Sequence, residues 1–316
     1  MKRLRAFLFV FPFLLAACQF SAAPSSDALP ESTQGNTPTI TPVQISVGGG
    51  GRIAFEIRSG SASKLHTVNP DGSDLQDVAG RSGYLAGWSP DGQQMVYVAG
   101  GRSNKNDLFV ADADGSNMRR LTNTVQEEGI PAWSPDGASI AVSINLDGDA
   151  EIYLLDIVSG EVIAQLTDNE DIDDYMGAWS PDGKQIAYVT NMGSPESTEI
   201  HLMDADGENK QALTVNEVLD FYPAWSPSGK QIAFVSERNG NGEIYLMDRD
   251  GLNVHRLTND PNWDSRPAWS PDGTVIAFHS QKNENISINL VDIETGEVWQ
   301  LVEDGVHPAW SSAGAK

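Results

Sequence analysis

A tryptophan-led turn recurs along this chain and dictates what it can fold into. WSPDG begins at Trp88, Trp133, Trp179 and Trp269, WSPSG at Trp225, and a degraded copy, WSSAG, at Trp310, with steps of 45, 46, 46, 44 and 41 residues. In SPDG, Ser180 suits the first position of a type I β-turn, Pro181 has the fixed φ of the second, and Gly183 takes the left-handed conformation that closes the turn with a bulge. The residues that follow, Gln185 to Val189, are β-branched and aromatic, as a strand requires. Behind each of the first five turns comes a second apolar strand ending in an acid and a turn, such as LFVADADG and IYLMDRDG, and then a short closing strand such as RRLTN. One repeat is thus four short strands, A to D.

A four-stranded sheet of this size cannot bury both faces alone, so the copies must stack. Radial stacking of such sheets is a β-propeller. Before Trp88, RIAFEI, KLHTVNPDG and LQDVA read as strands B, C and D of a blade that lacks strand A, and HPAWSSAGAK at the far end reads as a strand A with nothing after it. Together they complete a sixth blade. The expected fold is all-β, a six-bladed propeller whose C-terminal strand closes the ring inside the N-terminal blade and removes open edges.

The cadence PAWSPDGxxIAFVS, then IYLMDxDG, then a leucine-threonine strand resembles the TolB-like propeller repeat, found in the TolB family and in the propellers of prolyl oligopeptidase and tricorn-type peptidases. The resemblance runs from about Arg52 to the chain end. It implies a binding platform in the cell envelope, with a peptidoglycan-associated lipoprotein or another envelope protein as partner. The TolB family carries an α/β domain ahead of its propeller, for which this sequence has no room.

The N-terminus reads as a bacterial lipoprotein signal, residues 1–17. MKRLR is followed by an apolar stretch, Ala6 to Ala17, too short for a span of roughly 20 residues. LAAC resembles a lipobox, which makes Cys18 the expected lipid-attachment residue and the protein an exported, membrane-anchored one. Cys18 is the only cysteine, so no disulfide or cysteine zinc site forms within one chain. Residues 18–44 are Ser, Thr, Pro and Ala-rich and read as a disordered tether reaching up to roughly 80 Å, and 45–316 as the propeller.

With 44 acidic and 20 basic residues the net charge is −24. Such a chain repels nucleic acid and anionic headgroups and favours basic partners or divalent cations. Five residues before the repeat tryptophan stand Glu128, Asp174, Asp220 and Asp264, with Gly83 and Gly305 in the other two blades. Superposed repeats put these acids around one mouth of the channel, where loops converge and ligands tend to sit. There they are expected to hold the Lys/Arg of a basic peptide or an envelope protein, with Tyr175, Phe221, Tyr222 and Trp263 as apolar anchors. No cofactor is expected, a calcium ion in this acidic mouth being the open alternative. A second acidic column, Asp107, Glu151, Glu199 and Glu243, precedes strand C, and the acids ending strand C, Asp112, Asp156, Asp204, Asp248 and Asp292, are expected to bond their own turns.

Enzymatic signatures are missing from the sequence. It has no GxSxG elbow and no HExxH, and His66, His201, His255, His279 and His307 are scattered over different blades. The expectation is a monomeric, non-enzymatic protein- or peptide-binding propeller. The rival is a glycan-binding or hydrolytic propeller with a site built from loops at the channel mouth.

Overall fold

The computed structural model describes residues 39–40, 50–59, 62–78, 83–100, 106–124, 128–146, 148–192, 197–283 and 285–312. Residues 1–38, including Cys18, and 41–49 lie outside them. The described strands form six antiparallel four-stranded sheets, each running from an inner strand A to an outer strand D. Blade 1 holds β1 (Ile53–Ser59), β2 (Ala62–Val68) and β3 (Gln76–Asp77); blade 2 holds β4 (Gly83–Trp88), β5 (Gln94–Gly100), β6 (Asn106–Asp112) and β7 (Arg119–Arg120). Blade 3 holds β8 (Ala132–Trp133), β9 (Ser139–Asn145), β10 (Ala150–Asp156) and β11 (Val162–Gln165); blade 4 holds β12 (Asp174–Trp179), β13 (Gln185–Thr190), β14 (Glu199–Asp204) and β15 (Gln211–Ala212). Blade 5 holds β16 (Asp220–Trp225), β17 (Gln231–Ser236), β18 (Glu243–Asp248) and β19 (His255–Arg256); blade 6 holds β20 (Trp263–Trp269), β21 (Val275–Lys282), β22 (Asn285–Asp292) and β23 (Val298–Glu303). The last strand, β24 (Gly305–Trp310), pairs antiparallel with β1, Ile53 opposite Trp310 and Ala54 opposite Ala309, and so becomes the inner strand of blade 1. The six-bladed ring closes as the repeat arithmetic predicts.

The inner strands β4, β8, β12, β16, β20 and β24 touch one another in a closed ring and so surround the channel. The apolar core lies between blades. Six buried clusters each span a junction; one joins Ile200 and Leu202 of blade 4 to Trp225, Ile232 and Phe234 of blade 5. Three of the repeat tryptophans stitch junctions from their polar end: Trp225 Nε1 donates to the Ala178 carbonyl (3.1 Å), Trp269 Nε1 to Ala224 (3.0 Å) and Trp88 Nε1 to Ala309 (3.1 Å), whereas Trp133 Nε1 donates to Gly137 in its own turn and Trp179 Nε1 has no partner among the described residues. At these three positions the indole satisfies its donor across the blade boundary. The tryptophans belong to packing.

The turns are built as their composition requires. Gly183 N–H donates to Ser180 O (2.9 Å), the Ser180 hydroxyl to Asp182 (2.7 Å) and Gln185 N–H back to Ser180 Oγ (2.9 Å). At the ends of three C strands, Asp112, Asp204 and Asp248 each accept from the side-chain amide of an asparagine five residues on, all at 2.6 Å. Those acids serve their own hairpins. Gly251 shows why glycine closes them: its φ is +82° and a Cβ would lie 2.7 Å from the Leu213 carbonyl oxygen of the preceding blade. Gly251→Ala is expected to cost about 2 kcal/mol in urea unfolding, against about 1 kcal/mol for Gly296→Ala, whose φ is +71° with nothing within 4 Å. Equal losses at the two sites would show that backbone conformation alone, and not the blade contact, matters at Gly251.

Two residues of the expected tether meet the propeller. Thr39 O accepts from Glu303 N–H (3.0 Å), and Ile40 bridges Val302 on the outer strand β23 while packing against the core between blades 6 and 1.

Candidate functional site

The four acids expected to ring the channel mouth are buried: Glu128 is 3% exposed, Asp174 1%, and Asp220 and Asp264 0%. Each sits at or just before the start of an inner strand, at the channel end where the repeat places it, but is buried in a blade junction. The second acidic column meets it there, because strands A and C begin at the same end of a blade. Between the two stands the threonine of the closing LT pair, whose hydroxyl accepts the strand C amide: Leu108 N–H to Thr122 (2.9 Å), Ile152 to Thr167 (2.8 Å), Ile200 to Thr214 (2.9 Å) and Ile244 to Thr258 (3.0 Å). Glu128 Oε2 accepts from Thr122 Oγ1 (2.5 Å) and Leu108 N–H (3.1 Å). Asp174 and Asp220 accept from the side-chain amides of Asn169 (2.8 Å) and Asn216 (2.7 Å), whose backbone N–H groups donate to Glu151 and Glu199 (both 2.5 Å). Asp264 Oδ1 accepts from Ser280 Oγ (2.6 Å).

Three junctions add an arginine: Arg120 to Asp107 (2.5 Å), Arg238 to Asp220 (3.0 Å), and Arg256 to Glu243. The Glu151 and Asp174 junction has no such ion pair among the described residues. Burial, opposed by hydrogen bonds and reinforced by the neighbouring acid, pushes Glu151 up to about 7 and Asp174 up to about 6. Burial likewise raises Asp264 to about 7, and it raises Glu128 and Glu199. These carboxylates are buried rather than set out as an open ring, and Asp174 Oδ1, Asp220 Oδ1 and Asp264 Oδ2 have no hydrogen-bond partner among the described residues. Among the described residues no three His, Cys, Asp or Glu side chains are placed together to hold a metal ion.

What the inner strands do present lies two residues further on. Register shifts interrupt the pairing of β12 with β13 between Tyr175 and Ala178, of β16 with β17 between Phe221 and Ala224, and of β20 with β21 between Ser265 and Ala268. Within these bulges Met176 (φ 56°), Tyr222 (53°) and Arg266 (54°) adopt the left-handed region, as does His307 (55°) in β24. That conformation costs each non-glycine residue about 1–2 kcal/mol, and a bulge re-aims a side chain out of the strand alternation. Met176 is buried with Tyr175 and Phe221 in one cluster; Ile130, at the same repeat position of blade 3, and Tyr222 pack on that cluster. Arg266 of blade 6 lies over the Tyr222 ring, 4.7 Å from its centroid. His307 is buried, its Nδ1 3.2 Å from Glu56 Oε1 and its ring edge-on to His279. Of the aromatic anchors expected here, Tyr175 and Phe221 belong to the core, while Tyr222 and Trp263 are half-buried.

This position, three before each repeat tryptophan, escapes a reading that looks for shared residues. Its six occupants run from apolar Leu85, Ile130 and Met176 to aromatic Tyr222, cationic Arg266 and His307. No residue type common to all six blades marks it in the sequence.

The family model described as the TolB beta propeller domain matches residues 50–196 and again 175–315, nearly the whole of the described ring. The chain belongs to the TolB β-propeller family. Its relatives include the Tol-Pal system protein TolB of Syntrophus aciditrophicus, 38% identical over 78 residues, and an uncharacterized peptidase, YuxL, of Bacillus subtilis, 34% identical over 64. Those stretches cover 23% and 20% of this chain but only 17% and 10% of the relatives, so the chain matches a small share of their length. The crystal structure of TolB from Acinetobacter baumannii superposes with a TM-score of 0.73 at 24% identity, covering 83% of this chain and 66% of that one, which establishes the shared fold. In TolB-family terms, the inner-strand bulges and the junction carboxylates belong to the propeller itself.

Proposed function

We propose that this chain is a non-enzymatic cell-envelope lipoprotein, attached through Cys18, whose propeller binds another protein or a peptide in a Tol-Pal-type role. The observation that carries the reading is the channel end at which Ile130, Met176, Tyr222 and Arg266 gather: apolar, aromatic and cationic side chains of the kind that anchor interfaces. Met176, Tyr222 and Arg266 stand on inner strands in a left-handed conformation that costs folding energy, and binding is what such an arrangement serves. Membership of the TolB family and the likeness to a Tol-Pal system protein support an envelope partner.

Affinity capture from envelope extract tests this with the full chain as bait, beside Tyr222→Ala and the outer-rim control Val158→Ser. A protein held by the parent and the control and lost by Tyr222→Ala is the expected result. Identical capture by all three would remove the channel end as the platform. The short likeness to a peptidase favours one second reading, a hydrolytic propeller; turnover of peptide or glycan by the purified chain would put that reading in place of the first.

A further inference from the structure

We infer that the Arg266 and Tyr222 pair is a carboxylate-recognition site, so that the ligand meeting this end of the channel presents an acidic group. The protein is strongly acidic, and most of its arginines are committed elsewhere. Among the described residues Arg52, Arg120, Arg238 and Arg256 pair with Asp74, Asp107, Asp220 and Glu243. Arg119 donates to the Ile157 and Val158 carbonyls, and Arg249 to the Gln185 side chain. Arg266 is the exception. Its described contact is with the Tyr222 ring, and no acid among the described residues lies within ion-pair reach of it.

Stacking on an aromatic face leaves the guanidinium edge free. That edge carries its donors in a planar fork, matched to two carboxylate oxygens. Arg266 and Tyr222 are both half-buried, so a carboxylate would bind in a partly desolvated setting where a charge-assisted pair is strong. The acids nearest in sequence do not compete: Asp264 is fully buried and bonded to Ser280, and Asp220 accepts from Asn216 and Arg238. The left-handed backbone at both positions holds the two side chains together across the junction of blades 5 and 6. Apolar Ile130 and Met176 share one cluster with Tyr222, suiting a ligand that places an apolar group beside its carboxylate. This deepens the binding-platform reading and reverses the charge that the acidic composition favours in a partner.

The test follows the Arg266 Nε–Hε signal of the full chain by NMR during titration with two probes. N-acetyl-phenylalanine carries a main-chain terminal carboxylate, and N-acetyl-aspartate N-methylamide a side-chain one. A saturable shift with a Kd of about 1 mM or tighter for either probe is expected, and the tighter probe identifies the source of the carboxylate. Arg266→Gln should weaken that binding roughly 10- to 100-fold, with Arg266→Lys in between because it keeps the charge and loses the fork. No saturable shift with either probe, or equal affinity in Arg266→Gln, overturns the site. The outcomes separate from the capture experiment: a partner held equally by the parent chain and Arg266→Gln, with no carboxylate binding, leaves the platform and removes this chemistry. Carboxylate binding without any captured protein does the reverse.

Discussion

Removing the Arg256 side chain is expected to cost about 3 kcal/mol of stability, and removing the charge of its partner as well is expected to return more than half of it. Glu243 is 0% exposed and accepts from Arg256, from Thr258 Oγ1 (2.7 Å) and from Asn241 Nδ2 (3.0 Å). Arg256→Ala leaves that carboxylate buried beside Asp264 with its cation gone, and an uncompensated buried charge typically costs about 3–5 kcal/mol. The lower end applies because Arg256 itself is 25% exposed, so water reaches part of the pair. Glu243→Gln keeps an acceptor for Thr258 and abolishes the charge, so Arg256→Ala/Glu243→Gln removes the penalty and retains the threonine bond. Urea unfolding of the parent, both single variants and the double variant forms the cycle. Additive losses would mean that the bridge between β18 and β19 contributes nothing to the stability of blade 5.

The same junction shows where the sequence is legible and where it is not. Turn chemistry, strand alternation and the tryptophan period are local, so the blade, the copy number and the closing strand could be read from residues such as Trp179, Pro181 and Gly183. The column of Glu128, Asp174, Asp220 and Asp264 was legible as a position too. Its direction was not, because a side chain at a strand start faces the channel or the neighbouring blade according to the bulge that follows, and a one-residue slip exchanges the faces. Nothing in DYMGAW announces that Met176 takes a positive φ, a conformation usually left to glycine and asparagine. Nor does a single strand reveal that its acid will meet the threonine of the blade before. Two acidic columns read as separate loop features meet in buried groups at the blade junctions, while the cation at the channel end, Arg266, occupies a position whose residue type changes from blade to blade.

That network ties stability to pH in an unusual direction for an acidic protein. Stability is expected to be highest near pH 4–5 and to fall by several kcal/mol by pH 8, because Glu151, Asp174 and Asp264 are buried and titrate at about 7, about 6 and about 7 in the folded chain. In the unfolded chain these groups titrate at about 4. Between about pH 4 and 7 the folded state therefore binds protons that the unfolded state has released, so unfolding becomes easier as pH rises. Their stabilising contribution is complete below about pH 4 and is lost as pH climbs through the folded values. A tenfold difference in proton affinity between the two states is worth about 1.4 kcal/mol, so a single group accounts for about 3 kcal/mol, and the coupled pair Glu151 and Asp174 for less than twice that. The turn aspartates act in a lower window: hydrogen bonds from Ser89 and Gln93 hold Asp91 below its usual range, and those from Ser180 and Lys184 do the same for Asp182. Their stabilisation is present above about pH 4 and lost below it, which places the maximum between the two sets. Urea midpoints at pH 5 and pH 8 measure the slope, and Glu151→Gln/Asp174→Asn/Asp264→Asn should flatten it by keeping those positions neutral at both pH values. A parent chain more stable at pH 8, or a triple variant with an unchanged slope, would show that the junction carboxylates are ionised in the folded ring and that its blades are held together in some other way.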